Sequence, residues 1–289
     1  MRTIVTLLVL CTLAFSAKVE LVVLGSGGPE FDGRASTSYL LFIDNKAKLI
    51  IDMGSGSMLS FEKSGAKLDD VDAVVLTHLH IDHAVDLPSY VKAGYFTPRT
   101  QPLSIIAPNG NEHFPSAEEY LESLFGKNGA YRYMNDILSK NTDSFELIAT
   151  NIYKDRITMI QYPKFTLKLI RVHHGIVPAL ALRIDIGNKS ILISGDTNNE
   201  NKSLQDIAKD ADLFIAHHAI AEWAEGYATS LHMKPSNIAQ IAHDAKVKKI
   251  ILTHRMKRTL KSEDESLKII KKKFKGEVMF AEDGMRIEL

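Results

Sequence analysis

Short, continuous apolar runs recur along the chain at 19–24, 37–43, 48–51, 73–76, 165–172, 190–193, 212–216, 249–252 and 277–280. Their length and β-branched content predict strands, and their lack of polar alternation predicts strands covered on both faces. Helical spacing appears between them. Ile238, Ile241 and Ala242 share one face of a predicted helix over 235–245, a second helix covers 263–274, and 206–210 reads as a helix end. Between 109 and 162 the rhythm changes. Pro115-Ser116 followed by Glu118 and Glu119 opens a helix whose Leu121, Leu124 and Phe125 fall on one side, and glycines at 126 and 129 break it. A second helix there holds Tyr131, Tyr133, Met134, Ile137 and Leu138. This segment carries no metal-type motif and reads as a helical cap insertion, 109–162, over the site that sets substrate specificity. The alternation as a whole predicts an α/β fold in which two sheets pack face to face with helices outside, a four-layer αββα sandwich.

The N-terminus has its own pattern: Arg2, an apolar stretch over 4–15, then the small residues Ala14, Ser16 and Ala17. That stretch is too short for a membrane span and matches a signal peptide over 1–17, cut after Ser16 or Ala17. The expected product is an exported domain, 18–289, periplasmic or extracellular, with no stable membrane insertion after cleavage. The competing reading is the first core strand of a cytosolic protein. Cys11 is the only cysteine, so the mature chain can hold no disulfide, thiolate ligand or thiol nucleophile; a lipoprotein reading of Cys11 lacks the usual small residues before it.

Composition is ordinary for a globular chain, with 45% hydrophobic residues and a formal net charge of zero. Neutrality gives no support to nucleic acid as an obligate partner, although it does not exclude one. The basic clusters at 246–249, 255–258 and 271–275 read as solvated surface. A homodimer stays open. The turn Gly25-Ser26-Gly27-Gly28-Pro29 is not a dinucleotide loop, because Glu30 stands where the third glycine belongs and no helix follows.

The chemistry sits at strand ends. Thr77-His78-Leu79-His80-Ile81-Asp82-His83 follows the 73–76 run. His78 and His80, two apart, can grip one ion, and a bend can turn Asp82 and His83 toward a second. Three other runs end in His173-His174-Gly175, in Ser194-Gly195-Asp196-Thr197 and in Thr253-His254. Histidines and carboxylates gathered at strand ends point to a metal site.

These motifs resemble the metallo-β-lactamase superfamily of binuclear zinc hydrolases, from Val19 nearly to the end of the sequence. Ser-Gly-Asp-Thr, His232-Met233-Lys234-Pro235 and the ending AEDGMRIE (281–288) are most similar to the branch of ribonuclease Z, the zinc arylsulfatases and related phosphodiesterases. The resemblance implies that His78, His80 and His174 hold one zinc, Asp82, His83 and His254 the other, and that Asp196 bridges them. His173 is the alternative to His174; the ligand in this branch precedes a turn like that at Gly175. Asp52 would stand behind the site and orient a ligand histidine. His80 occupies the place where a diiron oxygen-reducing relative has Glu, which points to hydrolysis. Two Zn²⁺ suit thiolate-free ligation, and Mn²⁺ or Fe²⁺ fit the same cage.

Asp82 and His232 carry over as catalytic residues, with a metal-bridging hydroxide as nucleophile and His232 as general acid beside a helix N-terminus that would draw an anionic ester. The implied substrate is a small anionic ester, a phosphodiester or sulfate ester. Ribonuclease Z-type tRNA 3′ processing, lactonase or thioesterase action, and a catalytically idle metal-binding protein are the alternatives. Two departures bear on substrate: Met233-Lys234 replaces the branch's Ser-Thr, and no long basic arm is evident. His217 and His218 end a strand without a vacant ligand position, and His113 and His243 read as structural or surface residues.

Overall fold

Continuous apolar runs become strands buried on both sides, and the computed structural model shows how the two faces are used. It describes residues 17–140, 142, 144–153 and 156–289; the expected signal segment, apart from Ala17, lies outside them. The strands are β1 (Val19–Gly25), β2 (Ser38–Ile43), β3 (Lys46–Ile51), β4 (Ala73–Val75), β5 (Leu103–Pro108), β6 (Leu147–Ile152) and β7 (Thr158–Gln161). They continue with β8 (Thr166–Val172), β9 (Ala179–Ile186), β10 (Lys189–Ile193), β11 (Leu213–His217), β12 (Lys249–Thr253), β13 (Glu277–Phe280) and β14 (Arg286–Glu288). One sheet runs β14-β1-β2-β3-β4-β5-β6 and the other β13-β12-β11-β10-β9-β8-β7. Each changes from antiparallel to parallel part-way across, at the β3–β4 and β10–β11 pairs.

Successive side chains of a strand point to opposite faces, so each run feeds two cores. Leu21 and Val23 of β1, Tyr39 and Leu41 of β2, Ile215 of β11 and Ile251 of β12 meet between the sheets. Their neighbours Val22, Leu24 and Leu40 face outward against Phe61, Tyr90, Leu121 and Phe125. On the far side Phe214, Ile250 and Leu252 pack against Leu204, Ile238, Ile241 and Ile270. Three apolar layers separate four structural ones, and the αββα sandwich is present. Full burial of one such side chain stabilises by about 1.5–3 kcal/mol, so the strand ends are fixed by many contacts each. The β2–β3 hairpin turns on Asp44 and Asn45 at φ 52° and 61°, the left-handed pair that a two-residue hairpin needs.

The segment 109–162 departs from an all-helical cap. Its last part forms β6, paired with β5 in the first sheet, and β7, paired with β8 in the second. Helix Ala117–Phe125 is closed by a capping box between Ser116 and Glu119 and buries Leu121 and Phe125 in the outer layer. Residues near its start reach the site: Asn111 Nδ2 donates to the Ile176 carbonyl (2.8 Å), and the Phe114 ring stands edge-on to His80.

Candidate metal centre

Parallel strands β3, β4, β10, β11 and β12 all end at one rim, and their terminal residues converge there. Asp52 follows β3, His78–His83 follow β4, Asp196 follows β10, His217 closes β11 and His254 follows β12. Asp52 and His254 both take left-handed backbone, φ 58° and 52°. That conformation is costly for residues with a side chain and persists where the surroundings over-determine it.

Two triads emerge, His78–His80–His174 and Asp82–His83–His254, each with its ligand-type atoms within 4.8 Å of one another. Asp196 lies between them. Its Oδ2 is 3.4 Å from His254 Nε2, 3.7 Å from His83 Nε2, 3.8 Å from His174 Nε2 and 3.9 Å from His78 Nε2. Of the adjacent pair at 173–174, His174 faces this cluster; His173 is half-exposed and pairs through Nδ1 with Asn198 Oδ1 (2.9 Å).

Four of the five triad imidazoles are oriented from behind. His83 Nδ1 donates to Asp52 Oδ2 (2.7 Å) and His174 Nδ1 to the Leu231 carbonyl (2.9 Å). His254 Nδ1 meets Thr37 Oγ1 (2.6 Å), whose own proton goes to the Gly27 carbonyl. His78 Nδ1 meets Thr77 Oγ1 (3.2 Å), which donates to Asp52. With Nδ1 engaged as donor, each of these four rings turns an Nε2 lone pair to the centre, the arrangement that metal-ligating histidines adopt. His83 Nε2 and His174 Nε2 are buried with no protein partner. His78 Nε2 and His80 Nδ1 lie 3.0 Å apart, close to the roughly 3.3 Å that two nitrogens bound at 2.0–2.1 Å to one tetrahedral ion would show. The donor set fits divalent metal.

The electrostatics agree. Burial lowers the pKa of His78, His80, His174 and His254, keeping them neutral as ligands must be. At His83 burial opposes charge but Asp52, Asp82 and Asp196 together outweigh it, and its pKa rises. The same cluster holds the Asp196 carboxyl well below the usual range: burial works against the charge, and His254, His232 and His83 outweigh it. Positive charge is wanted at this centre.

His232 caps helix Ala228–Leu231 and is buried, its unpartnered Nδ1 3.9 Å from Asp196 Oδ2. The helix N-terminus beyond it does not await an anion. Glu222 Oε2 already accepts the Ser236 N–H (2.9 Å) at the start of helix Pro235–Asp244. A cation also acts here: Arg258, anchored by Nε to the Ala219 carbonyl (2.6 Å), is close enough for its charge to be felt at His232.

Compared with known proteins, residues 19–276 match the family described as Anti-Pycsar protein Apyc1. The chain belongs to the Apyc1 family. Among relatives of this Apyc1-family chain, the ribonuclease Z of Methanosarcina acetivorans is 24% identical over 311 residues, spanning 94% of this chain and 98% of the relative. The metallo-β-lactamase fold protein YhfI from Bacillus subtilis superposes with a TM-score of 0.74 at 21% identity, over 95% of this chain and 100% of YhfI. The short form of human tRNase Z gives 0.71 at 20% identity, over 93% and 98%. The fold is thus the metallo-β-lactamase sandwich that the motifs resemble.

The Apyc1-family site also contains a residue that its motifs do not announce. His217 Nδ1 lies 2.6 Å from Asp196 Oδ1 and its ring stacks on His254, although the motifs leave no ligand position vacant for it. A histidine closing an apolar strand beside His218 gave a weak signal. His218 itself points away, to Ser266 (2.9 Å), and His113 and His243 are exposed.

Proposed function

We propose that the protein is a metal-dependent hydrolase of phosphodiester or sulfate ester bonds, phosphodiesters being the favoured class. One observation carries the reading: a single carboxylate oxygen, Asp196 Oδ2, stands between two triads of ligand-type atoms. His78, His80 and His174 would hold one ion, Asp82, His83 and His254 the other, with Asp196 shared. Zn²⁺ is the favoured metal, and Mn²⁺ or Fe²⁺ suit the same nitrogen and carboxylate donors. Bound there, two such ions lower the pKa of water toward 7 and offset charge building on the attacked atom.

The side chains divide the remaining work. Arg258 provides positive charge at the rim for an anionic ester. His232 faces the centre and supplies a proton to the leaving oxygen. Burial holds its imidazole neutral down to about 4, with His174 and Arg258 pushing the same way and Asp196 opposing. An anionic substrate drawn in beside it adds negative charge at close range, which favours the imidazolium. Substrate binding thereby readies the acid. The ribonuclease Z relatives, whose name denotes cleavage of a phosphodiester, favour phosphorus over sulfur. They also support a second reading, action on tRNA, which the chain's zero net charge disfavours.

A panel on metal-loaded protein tests this: bis-p-nitrophenyl phosphate, p-nitrophenyl phosphate, sulfate and acetate, with a precursor tRNA alongside. Fastest turnover is expected on the bis-ester, lost in Asp196→Ala. Fastest turnover on acetate would shift the reading to acyl chemistry. Two bound ions with no turnover on any substrate would make the chain a metal-binding protein.

A further inference from the structure

The two oxygens of Asp196 have different surroundings. Oδ2 faces four ring nitrogens of the triads at 3.4–3.9 Å, while Oδ1 is turned away, 2.6 Å from His217 Nδ1. His217 also lies within reach of His254, so the set Asp196–His217–His254 looks on distance alone like a third ligand triad. The bonding of its ring argues otherwise. With Nδ1 on the carboxylate, the other nitrogen, Nε2, lies 3.0 Å from the Tyr39 hydroxyl, which also reaches Thr253 Oγ1 at 3.2 Å. Both nitrogens are engaged by protein. The ring is further fixed by stacking on His254 (centroids 5.0 Å apart, planes at 16°) and by its backbone N–H donating to Ser194 Oγ (3.1 Å).

The residues come from both sheets. Tyr39 projects from β2 across the layer between the sheets, whereas His217 and Thr253 are paired neighbours on β11 and β12. Tyr39 is fully buried and His217 nearly so, and a tyrosine hydroxyl in an apolar layer needs a polar partner. We propose that His217, locked by Tyr39, is a positioning residue: it holds Oδ1 of Asp196 so that Oδ2 alone is presented to both ion positions. The inference rests on the reading of Asp196 as shared between two ions.

Metal affinity and stoichiometry, measured by chelator competition on metal-stripped full chain titrated with Zn²⁺, test it without recourse to activity. Four proteins are compared: wild type, His217→Ala, His217→Asn and Tyr39→Phe. The asparagine amide can replace the Nδ1 donor but not the Tyr39 contact or the ring stacking, so both His217 variants share every loss except the bond to Asp196. Partners behind metal ligands are typically worth 10–100-fold in affinity. His217→Ala is expected to lose about that much and still reach two ions at saturation. His217→Asn, which restores the donor but not the Tyr39 contact, should bind more tightly than His217→Ala and about as Tyr39→Phe does, roughly tenfold below wild type. Saturation at one ion in His217→Ala would make His217 a ligand. Equal affinities in His217→Asn and His217→Ala, or no change in Tyr39→Phe, would overturn the positioning role. Should His217→Ala fail to fold, His217→Asn and Tyr39→Phe weakened alike by roughly tenfold, both still reaching two ions, support the proposal, and any other result overturns it. Wild type saturating at one ion would instead overturn the shared-carboxylate reading, a separable outcome.

Discussion

His232 turns a buried, unpartnered Nδ1 toward Asp196, as His83 and His174 turn their Nε2 atoms, but it belongs to neither ligand triad. The need for its proton depends on the leaving oxygen. A p-nitrophenolate departs unaided near neutral pH, whereas an alkoxide must be protonated as the bond breaks, and general acid catalysis typically contributes about 10²–10⁴-fold. His232→Ala is therefore expected to lower kcat by about 10²-fold or more on an alkyl phosphodiester, but by less than about tenfold on the p-nitrophenyl analogue, with metal content unchanged. Equal losses on the two substrates would reduce His232 to a positioning role, and loss of an ion would make it a ligand. At this scale the site was largely legible in the sequence. His78, His80, Asp82 and His83 lie within one short motif, and Asp196 and His254 announce themselves as polar residues directly after apolar runs. His217 was not legible, because its partners Tyr39 and Asp196 are remote in sequence and meet it only across the sheets.

Elements bring these residues to the rim through turns that few side chains tolerate. Gly195, at φ 57°, lets the β10 turn pass β9, and a Cβ there would stand 2.5 Å from the Leu180 carbonyl oxygen and 3.3 Å from Thr77 Cβ. Gly187, in the β9–β10 hairpin, has nearly the same φ of 56° but open space around it. The left-handed penalty of about 1–2 kcal/mol is thus common to both, and the collision is confined to Gly195. Gly195→Ala should lower the melting temperature and weaken Zn²⁺ binding at least about tenfold; Gly187→Ala should lower the melting temperature alone. Equal metal affinity in the two variants would show that the β10 turn does not set the position of Asp196. Strand identity was readable where runs were apolar throughout, as in β1, β2, β11 and β12. It missed β5 and β9, which were not read as strands, and it failed in 109–162, where β6 (Leu-Ile-Ala-Thr-Asn-Ile) and β7 (Thr-Met-Ile-Gln) are short, partly polar strands at sheet edges. An edge strand needs cover on fewer sides and so leaves a weaker hydrophobic trace.

For the whole molecule, the expected signal segment makes a claim that no contact within the fold addresses. Residues 1–18 fused to a reporter active only outside the cytosol should carry it across the membrane, and mass spectrometry of the native protein should find a new N-terminus at Ala17 or Lys18. A native chain beginning at Met1 would refute export and favour the tRNA reading. The sheet order adds a condition on how such a chain matures. β1 has β2 on one side and β14 on the other, with Glu20 opposite Glu288 and Val22 opposite Arg286. The ribosome adds roughly 5–20 residues each second, so one edge of β1 stays unpaired for many seconds until Arg286–Glu288 emerge. The first sheet therefore lacks its last edge strand while the second is still being made. If the expected signal segment does direct export, that delay keeps the nascent chain nearer to the unfolded thread a translocation pore accepts.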